Sequence, residues 1–249
     1  MTEYDIAKIG MVIIARDHST RCPGKALADV EGKPALVRMV DRCRKANYIH
    51  DVIIATTEDS PRIVEMCKEN DISYFIGSED DILDRTYQCA KAYKLDIIAR
   101  SWGDCIVLDP FVLNELINDH LSFGYDYTYL VGYPKGINAG VLEFDVLEHA
   151  WKTIEDVQWR LWFQRWFCKN MKSRGYSHYE PLDSISWCVD YPVDLEFVRF
   201  VYRKMGRDDF KWQEVLELWG QWKESKRGSS GTHLFRSQNR GLSSAGLIG

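Results

Sequence analysis

From Ile9 to about Leu121, short apolar runs alternate with stretches whose apolar residues recur at helical spacing. Residues 9–15 and 52–56 are β-branched runs without polar alternation, the pattern of strands buried on both faces. Between them Leu36, Val37, Val40 and Cys43 share a helical face behind Pro34, a residue suited to a first turn. Ile63, Val64 and Cys67 repeat that pattern, residues 73–76 predict a strand, and Leu83, Tyr87 and Ala90 predict a third helix. Residues 97–99 and 105–108 predict two more strands, and Val112, Leu113, Leu116, Ile117 and His120 predict a helix behind Pro110. Strands alternating with helices of this length predict an α/β fold with a doubly wound, mainly parallel sheet.

The rhythm changes after Tyr125. Residues 127–131 and 141–144 predict strands flanking the loop 132–140, with a helix from about Val146. Eight of the nine tryptophans lie beyond residue 150, and two sets of them recur at helical spacing. Trp159, Trp162 and Trp166 form one stripe; Trp212, Val215, Leu216, Trp219 and Trp222 form the other. Such stripes usually face a core, and the sharper alternative makes the first a subunit seam or a wall of an acceptor pocket. From Ser225 the chain is rich in glycine and serine and carries no acidic residue. That composition predicts a flexible tail over 225–249, with folding over an anionic substrate as the alternative.

Composition narrows the class. The 249 residues are 45% hydrophobic and 28% charged, which excludes a disordered chain or a coiled coil. A net charge of −5 argues against a protein held on nucleic acid by bulk positive charge. The seven cysteines are scattered, odd in number and without a CxxC pair, as expected of reduced thiols in the cytoplasm. The apolar run near the amino terminus is too short to span a bilayer, so no membrane association is expected.

Candidate chemistry concentrates in the loop after the first strand. Arg16, Ser19, Thr20, Arg21 and Lys25 fall within ten residues, and Pro23-Gly24 forces a turn. Ligands of open α/β sheets bind at the carboxyl ends of strands, so this loop is a plausible polyphosphate cradle. A solvated basic loop is the alternative. There is no GxxxxGK[ST], because Lys25 is followed by Ala26 and Lys33 by Pro34, and there is no GxGxxG. Both absences argue against a P-loop kinase and a standard dinucleotide oxidoreductase.

The sequence Ala15-Arg16-x-x-Ser19-Thr20-Arg21-x-Pro23-Gly24-Lys25, followed by Gly32-Lys33-Pro34, resembles the signature of cytidylyltransferases that activate acidic sugars. The likeness is to the spore-coat-polysaccharide type, related to the CMP-Kdo and CMP-sialate synthetases. It continues through Ile54-Ala-Thr-Thr57, Gly77-Ser-Glu-Asp-Asp-Ile-Leu-Asp-Arg85, Arg100-Ser-Trp-Gly-Asp-Cys105 and Asp109-Pro110. It resumes at Tyr133-Pro-Lys-Gly136 and Val189-Asp-Tyr-Pro-Val-Asp-Leu-Glu196. The resemblance implies that Ala15 and Arg16 hold the nucleotide, and that Ser19, Arg21 and Lys25 contact the triphosphate. It places Ser78, Asp84 and Arg85 toward the base and ribose, and counts Arg100, ahead of the metal motif, among the nucleotide-binding residues. Asp104 and Asp190 would bind Mg²⁺, and Lys25, Arg16 and Asp104 would be catalytic. The implied partners are CTP, a small anionic acceptor and a second copy of the chain. The implied organisation is one nucleotidyltransferase domain over 1–224, with a nucleotide-binding half at 9–121 and an acceptor-binding and dimerisation half at 122–224.

Residue chemistry agrees with this, because Mg²⁺ favours a few carboxylates plus phosphate oxygens. Taken alone, Asp104 also reads as a turn aspartate after Gly103, and Asp190 as a helix N-cap before Pro192. The pattern departs at Asp17, His18 and Cys22, and Ile137-Asn-Ala-Gly-Val141 stands where the family carries acidic residues. His18 could neutralise Asp17, touch the acceptor, or be a simple loop histidine. Lys135 and Asn138 are placed to meet an anionic acceptor, which could be a sugar acid, a phosphonate or a phosphate monoester. Two other classes compete: a nucleotide-sugar glycosyltransferase, disfavoured by the lack of any Asp-x-Asp, and a non-catalytic CTP sensor.

Overall fold

A computed structural model describes residues 7–227. The run of apolar residues after Lys8 becomes β1 (Ile9–Ile14), in which every residue is buried. It lies in the middle of a seven-stranded sheet, hydrogen-bonded in parallel to β4 (Asp51–Thr56) and β6 (Ile97–Trp102). β5 (Ser73–Ile76) adds a parallel strand outside β4. Beyond β6 the sheet turns mixed: β8 (Gly140–Glu143) is antiparallel to β6 and to β7 (Tyr127–Val131). β9 (Ser173–Ser177) closes that edge parallel to β7, giving the order β5-β4-β1-β6-β8-β7-β9. A two-residue hairpin, β2 (Asp29–Val30) with β3 (Lys33–Pro34), follows the first loop.

Side chains alternate across the sheet. Met11 and Ile13 of β1 join the layer of α1 (Ala35–Cys43), α2 (Pro61–Glu69), α4 (Pro110–Phe123), α8 (Pro192–Met205) and α9 (Trp212–Arg227). Val12 and Ile14 join the opposite layer of α3 (Ile82–Ala92), α5 (Phe144–Thr153), α6 (Val157–Leu161) and α7 (Phe163–Asn170). The sheet is thus covered on both faces, as expected of parallel strands joined by helices.

Several expectations change. Residues 105–108 are buried but form turns instead of a strand: Cys105 N–H donates to Trp102 C=O (3.1 Å) and Leu108 N–H to Cys105 C=O (3.0 Å). A continuous apolar run reports burial, not strand geometry. The helix after β8 starts at Phe144, and the strand β9 was not expected because Ser-Arg-Gly-Tyr-Ser holds no β-branched residue. The first tryptophan stripe is broken, since Trp162 (φ −118°, ψ 41°) separates α6 from α7. It is not core either: Trp162 is 38% exposed and Trp159 and Trp166 are half-buried, while Phe163 and Phe167 fill the interior. The second stripe is core, with Trp212, Val215, Trp219 and Trp222 buried. The expected tail begins inside α9, which runs through Arg227; its remainder from residue 228 lies outside the described residues. All seven cysteines are free, and no helix among the described residues is long and apolar enough to cross a membrane.

Candidate active site

The site grows from the adjacent ends of β1 and β6. Ala15 N–H continues the ladder to Ala55 C=O (3.2 Å), and Gly103 N–H donates to Ile14 C=O (2.8 Å). A Cβ on Gly103 would stand 2.8 Å from the Ala15 Cβ and 3.2 Å from the Ile14 oxygen. Only glycine lets the two strand ends approach so closely, and that approach sets Asp104 beside the loop after β1.

Lys25 opens a short 3₁₀ turn, Lys25–Leu27, and its side chain runs into this junction. Its Nζ donates to Val189 C=O (2.5 Å) and lies 3.3 Å from Asp104 Oδ2 and 3.7 Å from Asp190 Oδ1. Arg21 Nη2 donates to Asp190 Oδ1 at 2.6 Å, and its guanidinium stands 5.4 Å from the Tyr191 ring centre. The Asp190 carboxylate raises Arg21 above its already high ordinary pKa.

Asp190 reaches Asp104 from far along the chain through backbone lacing. Lys135 N–H donates to Ile185 C=O (2.9 Å), Trp187 N–H to Lys135 C=O (2.7 Å) and Val189 N–H to Asp104 C=O (3.0 Å). Gly136 makes the second of these contacts possible. Its φ is +106°, and a Cβ there would lie 2.8 Å from the Trp187 carbonyl carbon. The N-cap reading of Asp190 is corrected: Tyr191 is the N-cap of α8, and Asp194 Oδ2 accepts the N–H groups of Asp190 (3.1 Å) and Tyr191 (2.8 Å). The Asp190 carboxylate is thereby left to Arg21 and Lys25. Two thiols border the pair. One donor atom each from Asp104, Cys105 and Cys188 lie within 4.8 Å of one another. A hydrogen bond with Cys105, then burial, then the two carboxylates hold the Cys188 thiol well above its ordinary pKa.

Elsewhere in the loop Arg16 is exposed, and Ser19 Oγ accepts Cys22 N–H (3.3 Å). Asp17 is neutralised by Arg62 (3.4 Å), while His18 Nε2 sits against the Asp59 carbonyl (2.9 Å) and carboxylate (3.4 Å). His18 therefore serves Asp59, not Asp17. The Thr57 hydroxyl, and then His18, lower the Asp59 carboxyl. Residues 17–20, Pro23, Gly24 and Arg62 line a cleft of about 290 Å³. Arg62 was not legible in sequence, since no motif marks it, and the motif that opens at Val189 does not single out its carbonyl as a partner of Lys25.

At the start of α3, Ser78 Oγ accepts Asp81 N–H (3.1 Å). Asp84 is turned inward: Oδ1 accepts Trp151 Nε1 (2.7 Å) and Gln88 Nε2 (3.2 Å), tying α3 to α5. Arg85 and Arg100 are buried, and burial pushes each down to about 10. Lys135 and Asn138 are exposed in the β7–β8 loop, where the Asn138 carbonyl accepts Ser101 Oγ (2.5 Å). The structure thus brings Arg21, Lys25, Asp104 and Asp190 into one cluster. Arg16 and Ser19 stand on the same loop; Ser78 lies in the turn before α3, Asp84 and Arg85 on α3 itself, and Lys135 and Asn138 on the far side of β6.

An uncharacterized protein of Methanocaldococcus jannaschii is 34% identical over 155 residues, covering 60% of this chain and 62% of that protein. The spore coat polysaccharide biosynthesis protein SpsF of Bacillus subtilis is 34% identical over 142 residues, 55% of this chain and 59% of its own length. The chain therefore spans about three fifths of these curated relatives. A solved cytidylyltransferase from Leptospira borgpetersenii shares the fold, with a TM-score of 0.84 at 22% identity over 92% of this chain and 100% of that one. So does a CTP-complexed CMP:2-keto-3-deoxy-manno-octonic acid synthetase, with a TM-score of 0.66 at 19% identity over 80% and 100%. The cytidylyltransferase family profile matches residues 11–240, nearly the whole chain, and the chain belongs to that family.

Proposed function

We propose that this chain transfers CMP from CTP to an oxygen of a sugar acid, releasing pyrophosphate. The observation that carries the reading is the ammonium of Lys25 set between the carboxylates of Asp104 and Asp190, at the foot of a loop rich in cations and hydroxyls. Support for CTP comes from family membership and from the CTP-bound synthetase of the same fold. Support for a sugar-acid acceptor comes from that synthetase and from the polysaccharide role named for SpsF.

The donor set fits a hard divalent cation: two carboxylates converge within reach of one positive charge, leaving other positions to phosphate and water oxygens. Asp104 and Asp190 would hold Mg²⁺, whose chemistry there is neutralisation of charge growing on the α-phosphate. Lys25 and Arg21 exchange their carboxylate partners for triphosphate oxygens and stabilise the leaving pyrophosphate. Arg16, Ser19 and the backbone at Ala15 position the same chain of phosphates. Ser78 and Arg85 face the base and ribose, while the role of Asp84 is to anchor α3. Lys135 and Asn138 meet the acceptor. An acceptor oxygen attacks the α-phosphorus, the bond to the β-phosphate breaks in line, and the hydroxyl proton leaves to solvent.

The test is pyrophosphate release from each of four nucleoside triphosphates against sugar acids, phosphonates and phosphate esters. We expect turnover with CTP and a sugar acid. Turnover confined to phosphonates or phosphate esters would replace the acceptor. Sugar loss from a nucleotide-sugar without pyrophosphate, or tight CTP binding without turnover on any acceptor, would overturn the reading.

A further inference from the structure

Arg16, Arg85 and Arg100 form a succession of guanidiniums leading from the loop after β1 to β6. Burial and then the charge of Arg16 weaken Arg85; burial, and among neighbouring charges that of Arg85, weaken Arg100. Arg16 is exposed, but Arg85 and Arg100 are two like charges in the interior, and such a pair calls for an anion.

Arg100 is the sharpest case. It is 7% exposed, on the fourth residue of β6, and its guanidinium is clamped between the rings of Trp102 (4.2 Å) and Phe163 (4.7 Å). Nε and Nη2 are buried without a hydrogen-bond partner, and no carboxylate among the described residues stands among the charges that act on it. Those two nitrogens form one edge of the guanidinium, the edge that grips a carboxylate or phosphate through two parallel hydrogen bonds. The aromatic clamp fixes the plane of the group and so the direction of both donors.

We propose that the Nε/Nη2 edge of Arg100 is an oxyanion subsite that seats the anionic group of the acceptor. The base and ribose of a nucleotide are neutral, and its phosphates have Arg16, Arg21 and Lys25 on the first loop. Arg100 instead stands on β6 opposite Gly140 of β8, and its neighbour Ser101 donates to Asn138 in the β7–β8 loop. The oxyanion subsite itself stands on the orphaned donors; its assignment to the acceptor rests on the cytidylyl-transfer reading.

Inorganic phosphate is titrated calorimetrically into protein saturated with CTP, so that the first loop is already filled. The wild type is expected to bind phosphate at one site, and Arg100→Met to weaken it at least ten-fold. Unchanged affinity in the variant, or no binding by CTP-saturated wild type, would overturn the proposal. In phosphate-free buffer Arg100→Met is expected to raise Tm, because it removes a charge with no counter-ion; a lowered Tm would mark the side chain as a structural strut and also overturn it. Should the methionine variant fail to fold, the same titration on Arg100→Lys decides, with a several-fold loss expected and no change overturning. Failure of the protein to bind CTP at all would strike the cytidylyl-transfer reading, and the titration would then be read on nucleotide-free protein.

Discussion

Arg42 and Arg100 lie on opposite faces of the same sheet, and the fold treats them in opposite ways. Arg42 of α1 is completely buried, yet Nε donates to Leu108 C=O (2.8 Å), Nη1 to Asp208 C=O (2.6 Å) and Nη2 to Phe210 C=O (3.0 Å). It stitches the turn after β6 to the approach of α9, with its guanidinium 3.8 Å from the Phe210 ring centre. Arg100 has the aromatic contacts without the acceptors. Burial of a charge is therefore not what separates a strut from a site; the separation lies in whether the protein itself satisfies the donors. The cluster of Lys25, Arg21, Asp104 and Asp190 is a third arrangement, in which partly exposed charges cancel one another and can change partners.

This comparison can be broken in three further places. The largest expected effect is at the strut: Arg42→Met strands three carbonyls and should cost about 3–5 kcal/mol in denaturant unfolding. A near-neutral result would erase the distinction from Arg100. Next comes the exchangeable cluster, where Asp104→Asn should lower kcat for pyrophosphate release by about 10²–10³-fold, with the unfolding midpoint little changed. Full turnover in that variant would remove the carboxylate pair from the chemistry. The smallest effect is at Asp84: Trp151→Phe keeps the stack on Tyr87 (4.4 Å) but deletes the indole donor, and should cost about 1 kcal/mol of stability. A loss of CTP affinity larger than that loss of stability would give Asp84 a part in binding instead of anchoring.

The strands β1 and β4 were legible because parallel strands buried on both faces must be apolar almost throughout, as residues 9–14 and 52–55 are. The same property misled at residues 105–108, whose backbone is spent on turns and whose Leu108 carbonyl is claimed by Arg42. β9 escaped notice because an edge strand needs little apolar content. In the site, Arg21 and Lys25 could be read from one loop, but the convergence of Asp190 on Asp104 depends on lacing between distant backbones, which spacing cannot encode. The orphaned state of Arg100 is likewise invisible in sequence, since it is set by what fails to stand beside it.

The segment from Ile185 to Asp190 hangs from the β7–β8 loop at one end and from Asp104 at the other. A single ribbon thus ties the β7–β8 loop to the backbone of Asp104, with Asp190 next along the chain. If the proposed roles hold, remodelling that loop to suit a new acceptor would also shift the carboxylate that meets the nucleotide.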